Sequence, residues 1–272
     1  MSEVIMELSS KNNHLIKLAK SLANRKFREK EKLFMLEGVR LIEEALDAGV
    51  QINYVLYTPK LSNSTRGNKL IESFANHGVA VYLVEESIFD DVSDTENPQG
   101  ILAIARILHS ELSQLEINER SLLLLIDGVQ DPGNLGTMIR TACAAGASGV
   151  ILTKGTVDLF NPKVIRASMG TVFQIPVIIK ENNQNILQFL KSNGFRILVA
   201  DAKGKKHYYH AETEGPVVWV LGNEANGPGE FFQKHGDEIV SIPLLGKAES
   251  LNVAVAAGIL LFDHVRRTIL VN

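Results

Sequence analysis

The sequence predicts an α/β protein with a small N-terminal α/β domain and a larger C-terminal domain built on a parallel sheet. Short apolar runs typical of strands alternate with segments of helical apolar spacing along the whole chain. The run Leu122–Ile126 is apolar throughout, as expected of a strand covered on both faces in a parallel sheet. The 272 residues, 45% of them hydrophobic, allow one large domain or two of ordinary size.

Charge and cysteine content narrow the class of protein. Lys and Arg number 28 and Asp and Glu 31, and the net charge of −3 argues against a polycationic binder and against a charged disordered chain. The single cysteine, Cys143, excludes an internal disulfide framework and a cysteine-rich zinc site. The first residues lack a signal-peptide pattern, and no apolar run approaches the length of a membrane span. We therefore expect a soluble cytoplasmic protein.

Basic charge is concentrated near the N-terminus. Residues 1–40 carry nine basic and five acidic side chains, whereas residues 41–120 carry five basic and thirteen acidic ones. Most of this excess lies in Lys11–Lys32, with eight basic groups against two acids. Within it, Leu15–Leu22 has helical apolar spacing with lysines between, which predicts a basic amphipathic helix. On charge alone, a polyanion-binding surface and a solvated helix face are equally good interpretations.

The first domain is predicted to span residues 1–106 and to alternate strands with helices. Gly49 ends its first helix after the basic stretch, and the turn Asn97–Gly100 precedes its last strand. The mostly polar residues 107–120 are predicted to form a linker. The predicted strands are Leu33–Gly38, Asn53–Tyr57, Ala80–Val84 and Ile101–Ala105, and the predicted helices are Arg40–Ala48 and Lys69–Asn76.

The second domain, residues 121–272, repeats the alternation with longer apolar strands. Its last predicted helix carries small residues along its length. The predicted strands are Leu122–Ile126, Gly149–Leu152, Val172–Ile179, Arg196–Ala200, Val217–Leu221 and Glu238–Ile242. The predicted helices are Asn134–Ala145, Pro162–Met169, Asn185–Ser192 and Ser250–Arg267.

Three turns rich in Gly and Asn, or closed by Gly, follow strands of the second domain: Gly128–Gly136, Gly222–Gly227 and Pro243–Gly246. Loops at the carboxyl ends of parallel strands are where α/β sheets bind ligands. None of the three is a nucleotide fingerprint, and Ser250 does not lie in a hydrolase G-x-S-x-G elbow. Each turn by itself is most simply an ordinary tight connection.

Taken together, the motifs are more specific. Asn134–Thr141, then Leu221–Glu224, then Ile242–Pro243 with Ser250–Ala254 resemble, in this order, the three motifs of the SpoU (TrmH) family. The family consists of S-adenosylmethionine-dependent RNA 2′-O-ribose methyltransferases of the SPOUT superfamily. The segment Phe160–Gly170 also matches the family pattern. One departure is Pro228-Gly229, which stands where the family usually carries a Leu-Ser pair.

The resemblance extends to the first domain. Phe34–Gly38 and Asn97–Ile101 resemble the substrate-binding domain of the family's rRNA members, which is similar to RNA-binding ribosomal proteins. The resemblance therefore implies a substrate-binding domain at 1–106, a catalytic domain with a deep trefoil knot at 121–272, S-adenosylmethionine as cofactor, no metal, and a homodimer with the active site at its interface. It favours 23S-type rRNA as substrate. The alternatives are a tRNA substrate or a non-catalytic RNA-binding or ribosome assembly factor.

The resemblance also implies roles for individual residues. Arg140 matches the family's catalytic arginine. An arginine with a pKa above about 12 is a poor base, so we expect it to clamp a phosphate and stabilise the developing alkoxide. Asn134 is expected to orient Arg140 or the ribose, and Glu224, Ser250 and Asn252 to hold the motif loops or the 2′-oxygen. The resemblance thus implies that these four residues are catalytic together with Arg140. The cofactor contacts implied by the resemblance are Leu221, Gly222, Ile242, Leu244 and Leu251.

The same resemblance implies a role for the basic N-terminal stretch. Together with the rest of the first domain it is expected to hold RNA phosphates, a contact that depends on salt. The residues predicted to bind RNA are Lys17, Lys20, Arg25, Lys26 and Arg28.

Overall fold

The structure is a computed structural model that describes residues 6–107 and 110–269. The chain forms two compact units, the first comprising Met1–Leu108 with Phe160–Arg166 and the second His109–Leu159 with Ala167–Asn272. In the described ranges, every helix is too short or too polar to cross a membrane.

The first unit is built on a five-stranded sheet with the order β1-β4-β3-β5-β2. β5 runs antiparallel to β2 and β3, and the other pairings are parallel. The four predicted strands, the two predicted helices and the basic amphipathic helix are confirmed. The strands are β1 (Met6–Leu8), β2 (Leu33–Glu37), β3 (Ile52–Tyr57), β4 (Ala80–Val84) and β5 (Ile101–Arg106), and the helices are α1 (His14–Ser21), α2 (Arg25–Glu31), α3 (Val39–Asp47), α4 (Pro59–Ser62), α5 (Thr65–Asn76) and α6 (Glu86–Asp90).

The basic helices α1 and α2 are anchored on this sheet by apolar and polar contacts. Ile16 and Ala19 of α1 are buried in the core formed with the strands. The hydroxyl of Tyr54 on β3 donates to the carbonyl oxygen of Leu15 at 2.8 Å. α1 begins where it does because the side chain of Asn13 accepts from a first-turn N–H, which satisfies one of the free donors at the helix N-terminus.

The second unit contains a seven-stranded sheet with the order β10-β12-β9-β11-β6-β7-β8, and every pairing in it is parallel. The predicted parallel sheet is therefore confirmed. Its strands are β6 (Leu122–Asp127), β7 (Gly149–Leu152), β8 (Val177–Ile178), β9 (Arg196–Ala200), β10 (Lys206–His207), β11 (Val217–Gly222) and β12 (Glu238–Ser241), and the helices are α7 (Pro132–Ala144), α8 (Pro162–Ser168), α9 (Asn183–Ser192), α10 (Glu230–His235) and α11 (Val253–Ile269).

The predicted strand Val172–Ile179 is wrong over most of its length. Residues Thr171–Phe173 form a 3₁₀ turn, and only Val177 and Ile178 pair as β8. Pro176 explains the difference, because proline has no N–H for a strand ladder and is tolerated only at strand ends and edges. α11 begins at Val253 rather than Ser250, and the reason lies in Asn252, described below.

Two segments are organised differently from the predicted domain plan. Leu112 and Leu115, in the stretch predicted as a linker, are buried in the core of the second unit. The segment Phe160–Arg166, which belongs to the second domain by sequence, clusters with the first unit. There the ring of Phe160 packs on that of Phe34, with centroids 4.9 Å apart.

The parallel sheet places the three motif turns at one edge. The loops after β6, β11 and β12 all leave the carboxyl ends of parallel strands, and this is the edge at which sheets of this kind bind ligands. β6 and β11 are direct neighbours in the sheet, with Asp127 in register with Gly222 at their ends. The first two motif loops therefore begin side by side.

Candidate functional site

The first motif loop leads directly into α7. Asp131 is the N-cap of this helix, and its carboxylate accepts from the N–H of Asn134 at 2.7 Å. Pro132 occupies the first helical turn, where its missing N–H costs nothing. These two residues fix the start of α7 and present the side chain of Asn134 at its N-terminal end.

Glu224 of the second loop connects that loop to the first one by hydrogen bonds. Its carboxylate accepts from the N–H groups of Gln130 and Asp131, each at 3.1 Å, and from the side-chain amide of Asn134 at 3.0 Å. Sequence reasoning named Glu224 and Asn134 but missed the two backbone donors, because no residue pattern reveals which N–H groups a loop leaves free.

The third loop joins the same network through Asn252. Its side-chain amide donates to the side-chain oxygen of Asn134 at 2.9 Å. Its own side-chain oxygen accepts from the N–H groups of Ala254 and Val255 at 2.9 and 3.3 Å, which caps α11 and explains why that helix begins at Val253. Asn134 therefore links all three motif loops, and it accepts from one while donating to another.

The charge on Glu224 follows from these contacts. Partial burial alone would raise the pKa of its carboxyl, but hydrogen bonds from Asn134 and from backbone N–H groups favour the ionised form and outweigh it. The pKa of Glu224 consequently lies below its ordinary value. At neutral pH the residue acts as an acceptor only, which suits its role of collecting three donors.

The second loop is a tight turn in which the chain passes close over β11. Asn223 and Gly227 exchange both backbone hydrogen bonds, at 3.0 and 2.9 Å, and Gly227 has a φ of +68°. A Cβ on Gly222 would lie 1.9 Å from the nitrogen of Pro228, so only glycine fits there. The departure at Pro228-Gly229 is accommodated by Asp127, whose carboxylate accepts from the N–H of Gly229 at 2.8 Å.

Asp127 is a site residue that sequence reasoning missed. It ends β6, and besides Gly229 its carboxylate accepts from the hydroxyl of Thr153 at 2.6 Å, after β7. It therefore ties the end of β6 to residues that follow β7 and β11. An acid ending an otherwise apolar parallel strand was the available signal.

Arg140 and Ser250 lie outside the network. Arg140 is exposed on α7, and among the described residues it has no hydrogen-bond or ion-pair partner. Its guanidinium is thus free to bind a ligand, unlike most arginines of the second unit. Ser250 is also exposed, and no described residue hydrogen-bonds its hydroxyl.

The predicted cofactor residues divide into two groups. The side chain of Leu221 is only 2% exposed and Gly222 is buried, so these two can contribute backbone groups only. Ile242 and Leu244 are half-buried and Leu251 is exposed, and no described residue hydrogen-bonds the main-chain groups of these three. Apolar side chains beside free backbone donors and acceptors are the chemistry that an adenine ring requires, so these residues fit the predicted cofactor.

The predicted RNA-binding residues of the first unit do not behave alike. Lys17, Lys20 and Lys26 are exposed and make no ion pair with a described residue, whereas Arg25 pairs with Glu29 at 3.1 Å.

Arg28 does not fit the prediction of an RNA contact. Its side chain is 3% exposed, and its guanidinium donates to the carbonyl oxygens of Leu22 and Ala23 at 2.7 and 2.8 Å. These carbonyls lie in the turn between α1 and α2, where helix ends leave acceptors free. Arg28 therefore holds the corner between the two helices.

Known proteins resemble this chain over nearly its whole length. It is 36% identical over 260 residues to the 23S rRNA (guanosine(2553)-2′-O)-methyltransferase RlmP of Bacillus subtilis, covering 96% of this chain and 99% of that protein. It is 33% identical to the 23S rRNA (guanosine-2′-O-)-methyltransferase RlmB of Neisseria meningitidis, covering 80% and 88%. The AdoMet-bound rRNA methyltransferase from Sinorhizobium meliloti superimposes with a TM-score of 0.87 at 33% identity, covering 97% and 98%.

Two families match separate parts of the chain. Residues 13–103 match the MRM3-like substrate binding domain, and residues 121–262 match the SpoU rRNA Methylase family. The second match contains the three motif loops and α7. The chain thus belongs to the SpoU rRNA methylase family and carries an MRM3-like substrate-binding domain before its methylase domain.

Proposed function

We propose that this chain transfers a methyl group from S-adenosylmethionine to a ribose 2′-hydroxyl of 23S ribosomal RNA. The observation that carries the proposal is the hydrogen-bonded network of Asn134, Glu224 and Asn252, which joins three loops beside a free Arg140. The RlmP and RlmB relatives, both named as 23S rRNA 2′-O-methyltransferases, support this substrate. Bacterial ribosomes are assembled in the cytoplasm, so a ribosomal RNA substrate favours a cytoplasmic location for this protein.

The chemistry divides between the cofactor and the chain. S-adenosylmethionine supplies an activated methyl group on a sulfonium, so the chain has to position the acceptor rather than activate the donor. Ile242, Leu244 and Leu251 would hold the adenine with their side chains and backbone groups, and Leu221 and Gly222 would add backbone contacts. The apolar residues also exclude water from the transfer.

Arg140 is the residue that we assign to the RNA. Its permanent positive charge and planar fork suit a phosphate next to the target nucleotide and the negative charge that develops on the 2′-oxygen. Because it makes no hydrogen bond or ion pair with a described residue, no internal polar partner has to be displaced. Ser250 is exposed at the same edge of the sheet, and its hydroxyl is available to the ribose.

The network positions these groups. Asn134 lies in the first turn of α7, the helix that carries Arg140, and Glu224 and Asn252 fix its side chain from two sides. Positioning matters because small displacements of reacting groups cost large factors in rate. We therefore assign Asn134, Glu224 and Asn252 a positioning role, and within the site we assign direct contact with the target nucleotide to Arg140 and Ser250.

We further propose that the active protein is a homodimer with the site at its interface and that the second unit is threaded as a trefoil knot. Val255 and Phe262 of α11 are 53% and 48% exposed, and Ile259 lies between them at helical spacing. Such an apolar stripe on a helix is unfavourable in water and is typical of an interface. The return of the chain from β12 to pack α11 on α7 and β11 is compatible with the threading.

The substrate is tested by mapping 2′-O-methyl groups in total RNA from cells with and without this gene. We expect one site in 23S rRNA to lose its methyl group when the gene is deleted. Loss of a tRNA site instead would reassign the substrate within the same chemistry. No change in any RNA would favour a non-catalytic binding factor.

The dimeric site is tested by complementation. Arg140→Ala and a variant with a blocked cofactor loop, Leu244→Arg, are each expected to be inactive alone. If each site takes its arginine from one protomer and its cofactor from the other, mixed dimers contain one intact site. Recovered activity on mixing supports the shared site, and its absence in proven mixed dimers contradicts it.

A further inference from the structure

An exposed segment of the second unit, Lys203–His210, combines basic and aromatic side chains and has no part in the site described above. We call it the aromatic turn. It contains three lysines, two tyrosines and two histidines within eight residues. Tyr209 is 42% exposed, and its ring touches those of Tyr208 and His210, with centroids 5.3 and 4.6 Å away. The ring of Tyr209 is therefore held by its neighbours while part of it faces solvent.

The aromatic turn lies at the same edge of the sheet as the motif loops. It follows β9, which lies between β11 and β12 in the sheet. Within it, β10 pairs in parallel with β12, and His207 is in register with Ser241. The residues after His207 and the residues after Ser241, which form the third motif loop, therefore leave the sheet at one edge.

Arg267 of α11 holds the aromatic turn in its conformation by hydrogen bonds. The guanidinium of Arg267 donates to the carbonyl oxygens of Ala211 and Tyr208 at 3.0 and 3.2 Å. Arg267 is itself held by the carboxylate of Asp263 at 2.7 Å. The backbone next to Tyr209 is thus held in place by Arg267. Little conformational entropy is therefore lost when a ligand stacks on the exposed ring of Tyr209.

The charge around the aromatic turn suits a polyanion. Lys203 and Lys205 are exposed and form no ion pair with any residue that the structure describes. Glu238 pairs with Arg196 and Lys206 at 2.6 Å each, and Glu212 pairs with Arg196 at 2.8 Å. Asp201 is not paired with a cation among the described residues, and its carboxylate accepts from the N–H of Lys203 at 2.8 Å and from the side-chain amide of Gln233 at 3.1 Å. Lys203 and Lys205 therefore outnumber Asp201, and the charge at the start of the aromatic turn stays positive.

We propose that the aromatic turn is a docking site for the substrate RNA, in which Tyr209 stacks on an unpaired base and Lys203 and Lys205 bind the adjoining phosphates. Stacking on exposed aromatic rings beside basic groups is how proteins hold single-stranded RNA. The inference rests on the proposed function, since it assumes that RNA lies along the edge of the sheet.

The stacked base is not the target nucleotide. Arg267, which holds the aromatic turn, lies fourteen positions along α11 from Val253, the residue after Asn252 of the site, a distance of about 20 Å. The turn therefore engages a nucleotide that flanks the target in the folded RNA. The second unit would then contact the RNA at two places, the site and the aromatic turn. The two contacts together would determine which nucleotide of an RNA loop reaches the site.

The test measures binding of the full chain to unmodified 23S rRNA transcribed in vitro, by filter retention at several salt concentrations. We expect Tyr209→Ala to weaken binding about tenfold, or about 1.4 kcal/mol. Tyr209→Phe should bind like the wild type, because it keeps the ring. Lys203→Ala with Lys205→Ala should reduce the slope of log affinity against log salt by about 1 to 2.

A control variant and a second measurement separate stacking on RNA from a general loss of charge or of fold. Lys191→Ala removes an exposed lysine at the C-terminal end of α9, before β9 and so at the opposite edge of the sheet, and should change nothing. Affinity for S-adenosylmethionine, measured by calorimetry, should be the same in all variants. Unchanged RNA binding by Tyr209→Ala, or equal weakening by Tyr209→Phe, would overturn the stacking role, and loss of cofactor affinity would overturn the RNA assignment.

Methyl transfer by the wild type distinguishes the failure of this inference from that of the proposed function. If the wild type methylates 23S rRNA while Tyr209→Ala binds and methylates it normally, the docking site is wrong and the function stands. If the wild type binds the RNA through Tyr209 but transfers no methyl group, the function is wrong and the docking site stands.

Discussion

The two units of this protein use their polar side chains in opposite ways. In the first unit, Lys17, Lys20 and Lys26 stand exposed and without ion pairs to described residues. In the second, Asn134 and Glu224 are hydrogen-bonded to groups from other loops. Phosphate contacts position an RNA and tolerate replacement of one cation by another, whereas methyl transfer requires fixed geometry. The arrangement of the polar groups therefore matches the roles that we propose, phosphate binding for the exposed lysines of the first unit and positioning for the network of the second.

Arg28 and Arg140 show the same contrast between the two units at the level of single residues. Arg28 is buried, and its guanidinium donates hydrogen bonds to carbonyl oxygens of its own chain. Arg140 is exposed, and no described residue binds it. Only the second has its charge available to a ligand. An arginine in a basic stretch is thus a weaker functional signal than an exposed arginine that has no hydrogen-bond partner among the described residues.

The largest effect is expected from Arg140→Ala. We expect methyl transfer to fall roughly a hundredfold to a thousandfold, the loss typical of a group that stabilises charge in a transition state. Folding and cofactor affinity should survive, because the side chain is exposed and no described residue forms a hydrogen bond or ion pair with the guanidinium. The measurement is a single-turnover rate on saturating 23S rRNA, with calorimetry of cofactor binding as the control.

Arg140→Lys distinguishes a bidentate fork from a point charge. Lysine should restore part of the rate, since it supplies charge without the planar geometry. Full activity in Arg140→Lys would show that the fork is irrelevant, and near wild-type rates in Arg140→Ala would remove Arg140 from the mechanism.

Glu224→Gln should reduce the transfer rate by about tenfold to a hundredfold through loss of positioning. The neutral amide is a weaker acceptor for the N–H groups of Gln130 and Asp131 and for Asn134. The matched control is Glu214→Gln, an exposed glutamate of the second unit with no hydrogen bond to a described residue.

The pH dependence provides a check on the same residue. Because the pKa of Glu224 is lowered in the folded protein, its contribution to stability is complete above its ordinary value of about 4.3 and is lost as pH falls through the lower folded value. Unfolding of the wild type and of Glu224→Gln should therefore converge in acid. Equal stability of the two at pH 7 and in acid would mean that the network contributes nothing.

The N-terminal surface should show a smaller and strictly electrostatic effect. Reversing Lys17, Lys20 and Lys26 to Glu should weaken RNA binding and flatten its salt dependence, by about 0.7 to 0.9 in slope for each phosphate contact removed. Lys69→Glu on α5, an exposed lysine outside the basic stretch, is the control for a single reversal. An unchanged slope in the triple variant would make this surface a solvated helix face.

The smallest effect is expected at His264, a buried polar residue of α11 to which we assign no role in binding or chemistry. Burial, aided by the charge of Arg267 and opposed by Asp263, lowers the pKa of its ring in the folded protein. The unfolded chain then binds the proton that the folded chain resists, so stability should decline as pH falls below about 6.5. His264→Gln should reduce this decline in urea unfolding curves, whereas the exposed His210→Gln should not.

Much of the architecture could be predicted from the sequence, because apolar periodicity directly reports which faces are buried. Leu122–Ile126 is the clearest example, since its uniform apolar character required the doubly covered strand that the structure contains. The strand predicted at Val172–Ile179 was wrong because Pro176 interrupts an apolar run that periodicity alone treats as continuous.

The site was predictable only in part. Motif resemblance identified Asn134, Glu224 and Asn252, but hydrogen bonds between loops depend on tertiary geometry that no spacing rule contains. Arg28 shows the same limit, because a charged residue in a basic stretch can be buried when backbone acceptors lie within its reach. Side-chain identity thus indicated the candidates, and burial decided among them.

The most direct test is the product of the reaction. Purified protein, isotopically methyl-labelled S-adenosylmethionine and unmodified 23S rRNA should be combined, and the RNA digested to nucleosides for mass spectrometry. We expect label in one 2′-O-methylnucleoside, at no more than one per rRNA and greatly reduced with Arg140→Ala. Label on a base, or no transfer by a protein that binds both cofactor and RNA, would contradict the assignment of the three-loop site to ribose methylation.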